Sequence, residues 1–462
     1  MTPPAHHYLV VSDLHLADIE DHADGWKRHK SSAWVFDDAL DRVVQDHEAR
    51  AADGTLTLVL NGDIFDFDLV TAVPASPSFP VRAAERRYGL DATEAKSAWK
   101  LDHILADHPG FVATCGRVVA RGGRVVVILG NHDRELFFPA VQAVLREAIG
   151  RAAGADPGER LVFEPWFYYV PGEIFIEHGH QYDDYSSFRY NLEPTVTHRG
   201  EPEIALSTGN LSNRFLLSNI GYFNPHQTDF ILSGWGYVRH WLRHYAFSRR
   251  ALILTWFFGS LRALLAILAT RARLERHPPA DYPRHLAAAA ERYALPRATI
   301  DALYALKKPP ITRRLYKIVR EYWIDRVVLA LAMTGGTIAL ALSGAALWVK
   351  LVVPLIAFPL GWFLYAWAAG SENALTTVNR SNEAAVDIAA IVPVRAVVFG
   401  HTHSPGIHPL GRGVMFANTG TWAPMWDAAF RPVQGYRNWV WVRVAPGADP
   451  GDTCHVAVGS AT

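Results

Sequence analysis

The chain has 462 residues, with 45 Lys and Arg against 45 Asp and Glu, so its formal net charge is zero. That length exceeds one compact domain and predicts one domain with a large insertion, while the charge balance argues against the basic footprint of a nucleic-acid binder. The only cysteines are Cys115 and Cys454, too few for a thiolate zinc cluster or a disulfide scaffold, and both are expected to be reduced cytosolic thiols.

In chain order, the first predicted strand covers residues 8–11 and runs into Ser12-Asp13-Leu14-His15. It begins too early to leave room for a signal peptide, so the catalytic part is expected to be cytosolic. The second, 56–60, runs into Asn61-Gly62-Asp63, with Asp66 close behind. Pro74, Pro77 and Pro80 then mark a loop. Residues 82–121 read as helices broken near Pro109-Gly110, with Leu101, Ile104 and Leu105 on one buried face. The third strand, 125–129, leads to Gly130-Asn131-His132-Asp133 and an amphipathic helix over 139–152. A fourth, 174–176, leads to His178-Gly179-His180, and a fifth, 396–399, to Gly400-His401-Thr402-His403. All five are short β-branched or aromatic runs of the kind buried strands use. The chain shows no internal repeat or low-complexity segment. Lys27-Arg28-His29-Lys30 reads as a solvated loop.

Each strand thus ends in Asp, Asn or His, at the place where open α/β sheets put their sites. With 21 histidines in the chain, chance pairs are expected, and His6-His7 reads as one. Five ordered clusters are not explained by core packing, because buried Asp is rarely tolerated unless paired or on a metal. Carboxylate, carboxamide and imidazole together suit Mn, Fe or Zn at a water-bearing site.

The five blocks resemble the pattern of calcineurin-like metallophosphoesterases: D-x-H, G-D-x-x-D, G-N-H-[DE], H and G-H-x-H. The resemblance covers residues 1–185 and 395–425. It implies an α/β fold, a four-layer α-β-β-α sandwich, and hydrolysis of phosphoester or phosphoanhydride bonds by two divalent metal ions, Mn2+ foremost with Fe or Zn as alternatives. By the same resemblance Asp13, His15 and His403 hold one ion, Asn131, His178 and His401 the other, and Asp63 bridges. His132 would act at the leaving group with Asp66 orienting it, and His178 is preferred to His180. Within the superfamily the chain is most similar to the UDP-2,3-diacylglucosamine pyrophosphatase group. The cues are Ser12-Asp13-Leu14-His15-Leu16, His178-Gly179-His180-Gln181-Tyr182-Asp183 and Asn418-Thr419-Gly420-Thr421-Trp422. That group carries a helical lid between the fourth and fifth blocks. Its best-known members have Arg at the position of His132, which leaves a lipid phosphomonoester as open as a pyrophosphate.

Between His180 and Val394 the chain is far too long for a loop. Residues 327–349 and 351–371 are uncharged apolar stretches separated by Lys350, each reaching the ~20 residues that a bilayer-spanning helix needs. Trp348, Trp362, Tyr365 and Trp367 would anchor them at the interface, and the basic run from Lys307 to Arg326 would stay cytosolic. Pro354 and Pro359 allow a second helix reduced to 354–370. A third apolar stretch, 251–270, carries Arg262 near its centre and is expected to lie in the interface or over the site. His178 and His401 must reach one metal site, so the chain crosses an even number of times. The expected organisation is a core over 1–185 and 394–462, split by a helical insertion over 186–393 with a transmembrane hairpin at 327–371. The expected partners are the lipid bilayer and a phosphorylated lipid or sugar-nucleotide lipid at the cytosolic face of the inner membrane. The alternative is a soluble nucleotide or phosphoprotein substrate with the hairpin as anchor. Arg134, Arg189 and Asn191 are candidate substrate contacts.

Overall fold

The protein is described by a computed structural model covering residues 4–221, 252–322, 324–369, 374–426, 436–445 and 454–461, with His226 and Leu242 besides. It divides into two compact units, Met1–Pro310 with Thr377–Thr462, and Ile311–Thr376.

The larger unit begins with β1 (Ala5–Val11), α1 (Asp37–Arg50) and β2 (Gly54–Asn61). Three helices follow, α2 (Ala83–Tyr88), α3 (Glu94–Asp107) and α4 (Pro109–Ala120), broken where Pro109 was expected to break them. Leu101, Ile104 and Leu105 are buried as their spacing predicts. Then come β3 (Arg124–Ile128), α5 (Pro139–Ala153), β4 (Leu161–Glu164), β5 (Phe167–Val170) and β6 (Ile174–Glu177). A small hairpin, β7 (Thr195–His198) and β8 (Glu201–Ile204), leads to α6 (Thr208–Ser212), a π-turn over Asn213–Leu217 and α7 (Ser218–Ile220). The long helix α8 (Leu252–Arg276) precedes α9 (Tyr282–Arg292) and α10 (Arg297–Ala305).

The smaller unit holds α11 (Leu315–Glu321), α12 (Ile324–Leu342), α13 (Leu347–Val352), a π-turn over Val353–Ala357 and α14 (Phe358–Ala369). The helices Ile324–Leu342 and Leu347–Ala368 are long and apolar enough to cross a membrane, and neither is buried. The break falls at Ser343-Gly344, ahead of Lys350. The second helix is not shortened by Pro354: the π-turn opens the backbone ladder around that residue and the helix continues. Asp325 accepts a hydrogen bond from the Tyr365 hydroxyl across the pair.

The chain closes with α15 (Ala374–Ile391), β9 (Ala396–Phe399), β10 (Gly406–Gly411), β11 (Val414–Asn418), β12 (Asn438–Val444) and β13 (Cys454–Ser460).

Two mixed sheets stack face to face. One is ordered β13-β12-β1-β2-β3-β4 and the other β10-β11-β9-β6-β5. The layer between them is apolar: Val10, Val59 and Val126 from the first sheet meet Ile176, Val398 and Ala417 from the second. The first sheet's outer layer is α1, α4 and α5, which pack on one another. The second is covered by α9, α10 and α15, whose Leu286, Ile300, Leu303 and Ile388 close over Phe175, Phe399 and Phe416. The four layers are those expected, but the outer helical layer of the second sheet comes from residues 282–305 and 374–391, within the long gap between the fourth and fifth blocks. The run 27–30 is not the solvated loop its charge predicts. His29 and Lys30 are buried, and Lys30 Nζ sits 2.7 Å from Asp18 and 2.9 Å from Glu20, because paired carboxylates offset the cost of burying an ammonium.

Candidate metal centre

β1, β2 and β3 run parallel in the first sheet, and β6 and β9 run parallel in the second. Their carboxyl ends therefore meet at one end of the sandwich, and each releases one of the five blocks there. Asp13, His15 and His403 bring one donor atom each within 4.8 Å of one another, as do Asp63, His178 and His401. Asp63 also joins His15 and His132, so it stands between the two clusters.

The backbone is bent hard to achieve this. Asp13, His15, Asp63, His401 and His403 all have φ between 50° and 66°, left-handed conformations that cost non-glycine residues roughly 1–3 kcal/mol each and persist only where the surroundings over-determine them. Here His15 N–H donates to the Asp63 carbonyl at 2.9 Å and Asp13 N–H to the Gly62 carbonyl at 3.1 Å. The Asp13 carbonyl in turn accepts from Trp422 and Ala423 N–H at 3.0 and 3.1 Å. Gly62 has φ 75°, and a Cβ there would lie 2.5 Å from the His178 ring, so the turn and the close approach both require glycine.

Side-chain contacts orient the donors. His178 Nδ1 donates to the Asn61 carbonyl at 2.9 Å, which leaves Nε2 3.1 Å from Asp63 Oδ2. His403 Nε2 lies 3.1 Å from Asp13 Oδ1, and its Nδ1 donates to the His226 carbonyl at 2.9 Å. His401 N–H donates to Asp13 Oδ2 at 3.0 Å, and its Nε2 meets Asp183 Oδ2 at 3.2 Å. His132 N–H donates to Asp63 Oδ1 at 2.7 Å. The His132 ring nitrogen Nδ1 is 3.2 Å from Asp68 Oδ2 and 3.4 Å from Asp66 Oδ2.

Burial makes these charges strongly interdependent. Desolvation opposes ionisation of Asp63 and Asp66, but His178 and His132 respectively outweigh it, with further imidazoles, and hold both carboxyls well below their usual range. Burial would strip the proton from His132, yet Asp66 and Asp63 hold its pKa well above the usual value. His178 rises to about 9 against its own burial, through Asp63 and Asp13. His15 and His180 are pushed down by burial. In the absence of cations the carboxylates thus recruit protons onto neighbouring imidazoles.

The donor set fits divalent cations. Among the described residues Asn131 Oδ1 and His15 Nε2 are buried without a hydrogen-bond partner, as ligand atoms aimed at an ion would be. Buried aspartates interleaved with imidazoles are the hard and borderline donors that such ions take. His180 is buried but belongs to no such cluster among the described residues; Gln181 donates to its Nε2 at 2.7 Å.

The structure places the three candidate substrate contacts as follows. Arg134 is buried over the Phe188 ring and donates to the Pro165 carbonyl at 3.0 Å. Asn191 Oδ1 accepts from the Tyr282 hydroxyl at 2.8 Å, and Arg189 lies over its neighbour Tyr190. His6 and His7 stand apart from the centre, on Glu173 and Asp53.

Three neighbours were not anticipated. Asp68 shares His132 with Asp66. Asn210 on α6 donates to Asp68 Oδ2 at 2.5 Å and to the Asn131 carbonyl at 3.0 Å. His226 stacks on His15 with ring centroids 3.7 Å apart, and its Nε2 is 3.3 Å from Asp66 Oδ2. The Asp66-Phe67-Asp68 repeat was a usable signal for the first. The other two are isolated residues far from every block.

Fold and centre together define a metal-dependent hydrolase built on a double-sheet sandwich. Residues 6–234 match the family model described as calcineurin-like phosphoesterase. Residues 6–234 carry a calcineurin-like phosphoesterase domain, which marks a phosphoester-hydrolysing enzyme, and the Asp and His clusters could hold divalent metal ions. The match ends well before His401 and His403, which β9 returns to the same place. No curated protein matches the chain.

Proposed function

We propose that the protein hydrolyses a lipid-linked phosphoester or pyrophosphate at the cytosolic face of the inner membrane. The hydrolytic half of this reading rests on one observation: Asp63 stands between the Asp13–His15–His403 and Asp63–His178–His401 clusters. Asp13, His15 and His403 would hold one cation, Asn131, His178 and His401 the other, and Asp63 both, with Mn2+ the first candidate. Bound divalent ions supply Lewis acidity there, acidifying water and neutralising phosphoryl charge. Asp66 and Asp68 hold the His132 proton on Nδ1 and present Nε2 to the substrate, where a protonated imidazole can donate to the leaving oxygen. The Asn131 amide would steady a phosphoryl oxygen.

The membrane half is supported by the helices Ile324–Leu342 and Leu347–Ala368. A hydrolase whose chain enters the bilayer is suited to an amphiphilic substrate, the phosphate at the metals and the acyl chains in lipid. The similarity to the UDP-2,3-diacylglucosamine pyrophosphatase group makes a sugar-nucleotide lipid one candidate. His132, where that group has Arg, makes a lipid phosphomonoester another.

Three measurements test the reading. Activity on a chromogenic phosphoester should vanish on chelation, return with Mn2+, and be lost in Asp63→Ala and His132→Ala. Activity that survives these would sink the mechanism. The protein should sediment with membranes until detergent is added; a monodisperse protein in the detergent-free supernatant would rule insertion out. A chain lacking residues 324–369 should lose lipid turnover and keep the chromogenic activity. Retention of both would favour a soluble nucleotide or phosphoprotein substrate.

A further inference from the structure

A cavity of ≈ 240 Å³ lies between α8, the β7–β8 hairpin and the segment that begins with α6. Among the described residues, five arginines line it: Arg82, Arg199, Arg214, Arg262 and Arg273. The two carboxylates that line it among the described residues are already engaged. Asp91 pairs with Arg82 and with Arg214 at 3.0 Å. Glu203 lies 2.5 Å from His198 Nδ1 and 4.0 Å from Arg273. Among the described residues Arg199 and Arg262 have no carboxylate partner. Arg214 and Arg262 both lie over the single ring of Phe215, at 5.2 and 5.6 Å. Cations gathered this way around one concave surface repel one another until an anion bridges them, and guanidinium forks match phosphate oxygens.

The apolar wall of the cavity continues outward along α8. Phe257, Phe258, Leu261 and Leu265 are all exposed, and their spacing places them in one helical stripe. Leu265 belongs both to this stripe and to the cavity lining. A stripe of large apolar side chains beside a basic concavity is the chemistry of a bilayer interface, with acyl chains against the stripe and a phosphate in the cavity.

We propose that this cavity binds the phosphate of an anionic phospholipid, with the exposed face of α8 at the acyl boundary. The site lies outside the metal centre, and the inference rests on the membrane half of the proposed function.

The test uses the full metal-loaded chain in an uncharged detergent, titrated calorimetrically with dihexanoyl phosphatidylglycerol, dihexanoyl phosphatidylcholine and inorganic phosphate. The wild type should bind the anionic lipid more tightly than the other two. Arg199→Ala/Arg262→Ala, both exposed positions, should weaken that lipid by about tenfold or more while chromogenic activity is unchanged. Phe258→Ser/Leu261→Ser should weaken the lipid and not phosphate. Lipid bound at the metal centre is common to all the proteins and cancels in the comparison. Equal lipid affinity in wild type and the arginine variant overturns the proposal, as does equal affinity for phosphatidylcholine or for free phosphate. Fractionation separates the two readings: a wild type found in the membrane pellet with no lipid difference between variants refutes the cavity alone, whereas a wild type in the supernatant refutes the membrane reading beneath it.

Discussion

Replacing Gly130 by Ala tests how tightly the centre is built. Gly130 follows β3, and a Cβ there would stand 2.4 Å from the Asp63 amide nitrogen and 2.3 Å from Asp63 Oδ1. Restoring an ordinary contact of 3.4 Å requires a shift of about 1 Å, and neither side can yield easily. Asp63 is held by His15 and by its own left-handed turn, while Ile128 and Leu129 are buried in the sheet. A reactive constellation tolerates about 0.5 Å, and about 1 Å of misplacement costs on the order of 100-fold in rate, or about 3 kcal/mol of transition-state stabilisation. The overpacking adds about 1–3 kcal/mol of lost stability. Gly406, whose added Cβ would meet nothing within 4 Å among the described residues, provides the control. Metal content per chain, kcat/KM on a chromogenic phosphoester and thermal melting should be measured for wild type, Gly130→Ala and Gly406→Ala. The expected result is a Gly130→Ala protein that melts cooperatively at lower temperature, holds less metal and loses about 100-fold in kcat/KM, beside a near-normal Gly406→Ala. A Gly130→Ala protein with full metal content and kcat/KM within about twofold of wild type would refute the reasoning.

Other consequences can be checked alongside. Asp183→Asn removes the carboxylate at His401 Nε2 and should weaken metal affinity roughly 10–100-fold in equilibrium titrations, with Asp183→Glu recovering part of it. His132→Ala should lower kcat by roughly 10²–10⁴-fold; Asp68→Asn should lower it less, because Asp66 remains on the same ring nitrogen. His178 has a folded pKa of about 9 in the metal-free protein, so it is protonated at neutral pH and must release that proton to a metal. Metal affinity should therefore rise with pH up to about 9, and calorimetric heats at neutral pH should differ between buffers of different ionisation enthalpy. Identical heats would contradict this. By the same sign, the stability His178 lends the metal-free protein is present below its unfolded value and is lost as pH rises through about 9.

The parts legible in the sequence were those with a local cause. A strand that ends at an Asp, Asn or His cluster needs only its own few residues to be recognised, and all five such strands are present. Asn210 and His226 were not legible, because each reaches the centre through the fold of a long segment without belonging to a motif. The buried Lys30 misled for a related reason: a basic run reads as solvated until Asp18 and Glu20 are seen folded back onto it. The helices covering the second sheet are hard to read in the sequence because the apolar hairpin between them dominates the hydropathy of that region. Pro354 reads as a helix breaker because sequence pattern alone does not show where a π-turn can absorb a proline.

The placement of β12 bears on how the enzyme is made. β12 pairs with β1 through the register His6–Val444 to Val10–Val440, and Asp13 is gripped by residues 421–423. Both partners are synthesised after residues 324–369. The centre cannot close during translation until the apolar hairpin has left the ribosome, and β1 keeps an open edge until then. If the hairpin enters the bilayer as it emerges, hydrolytic activity begins only once the chain is already anchored, so the cytosol never holds a working, unanchored copy.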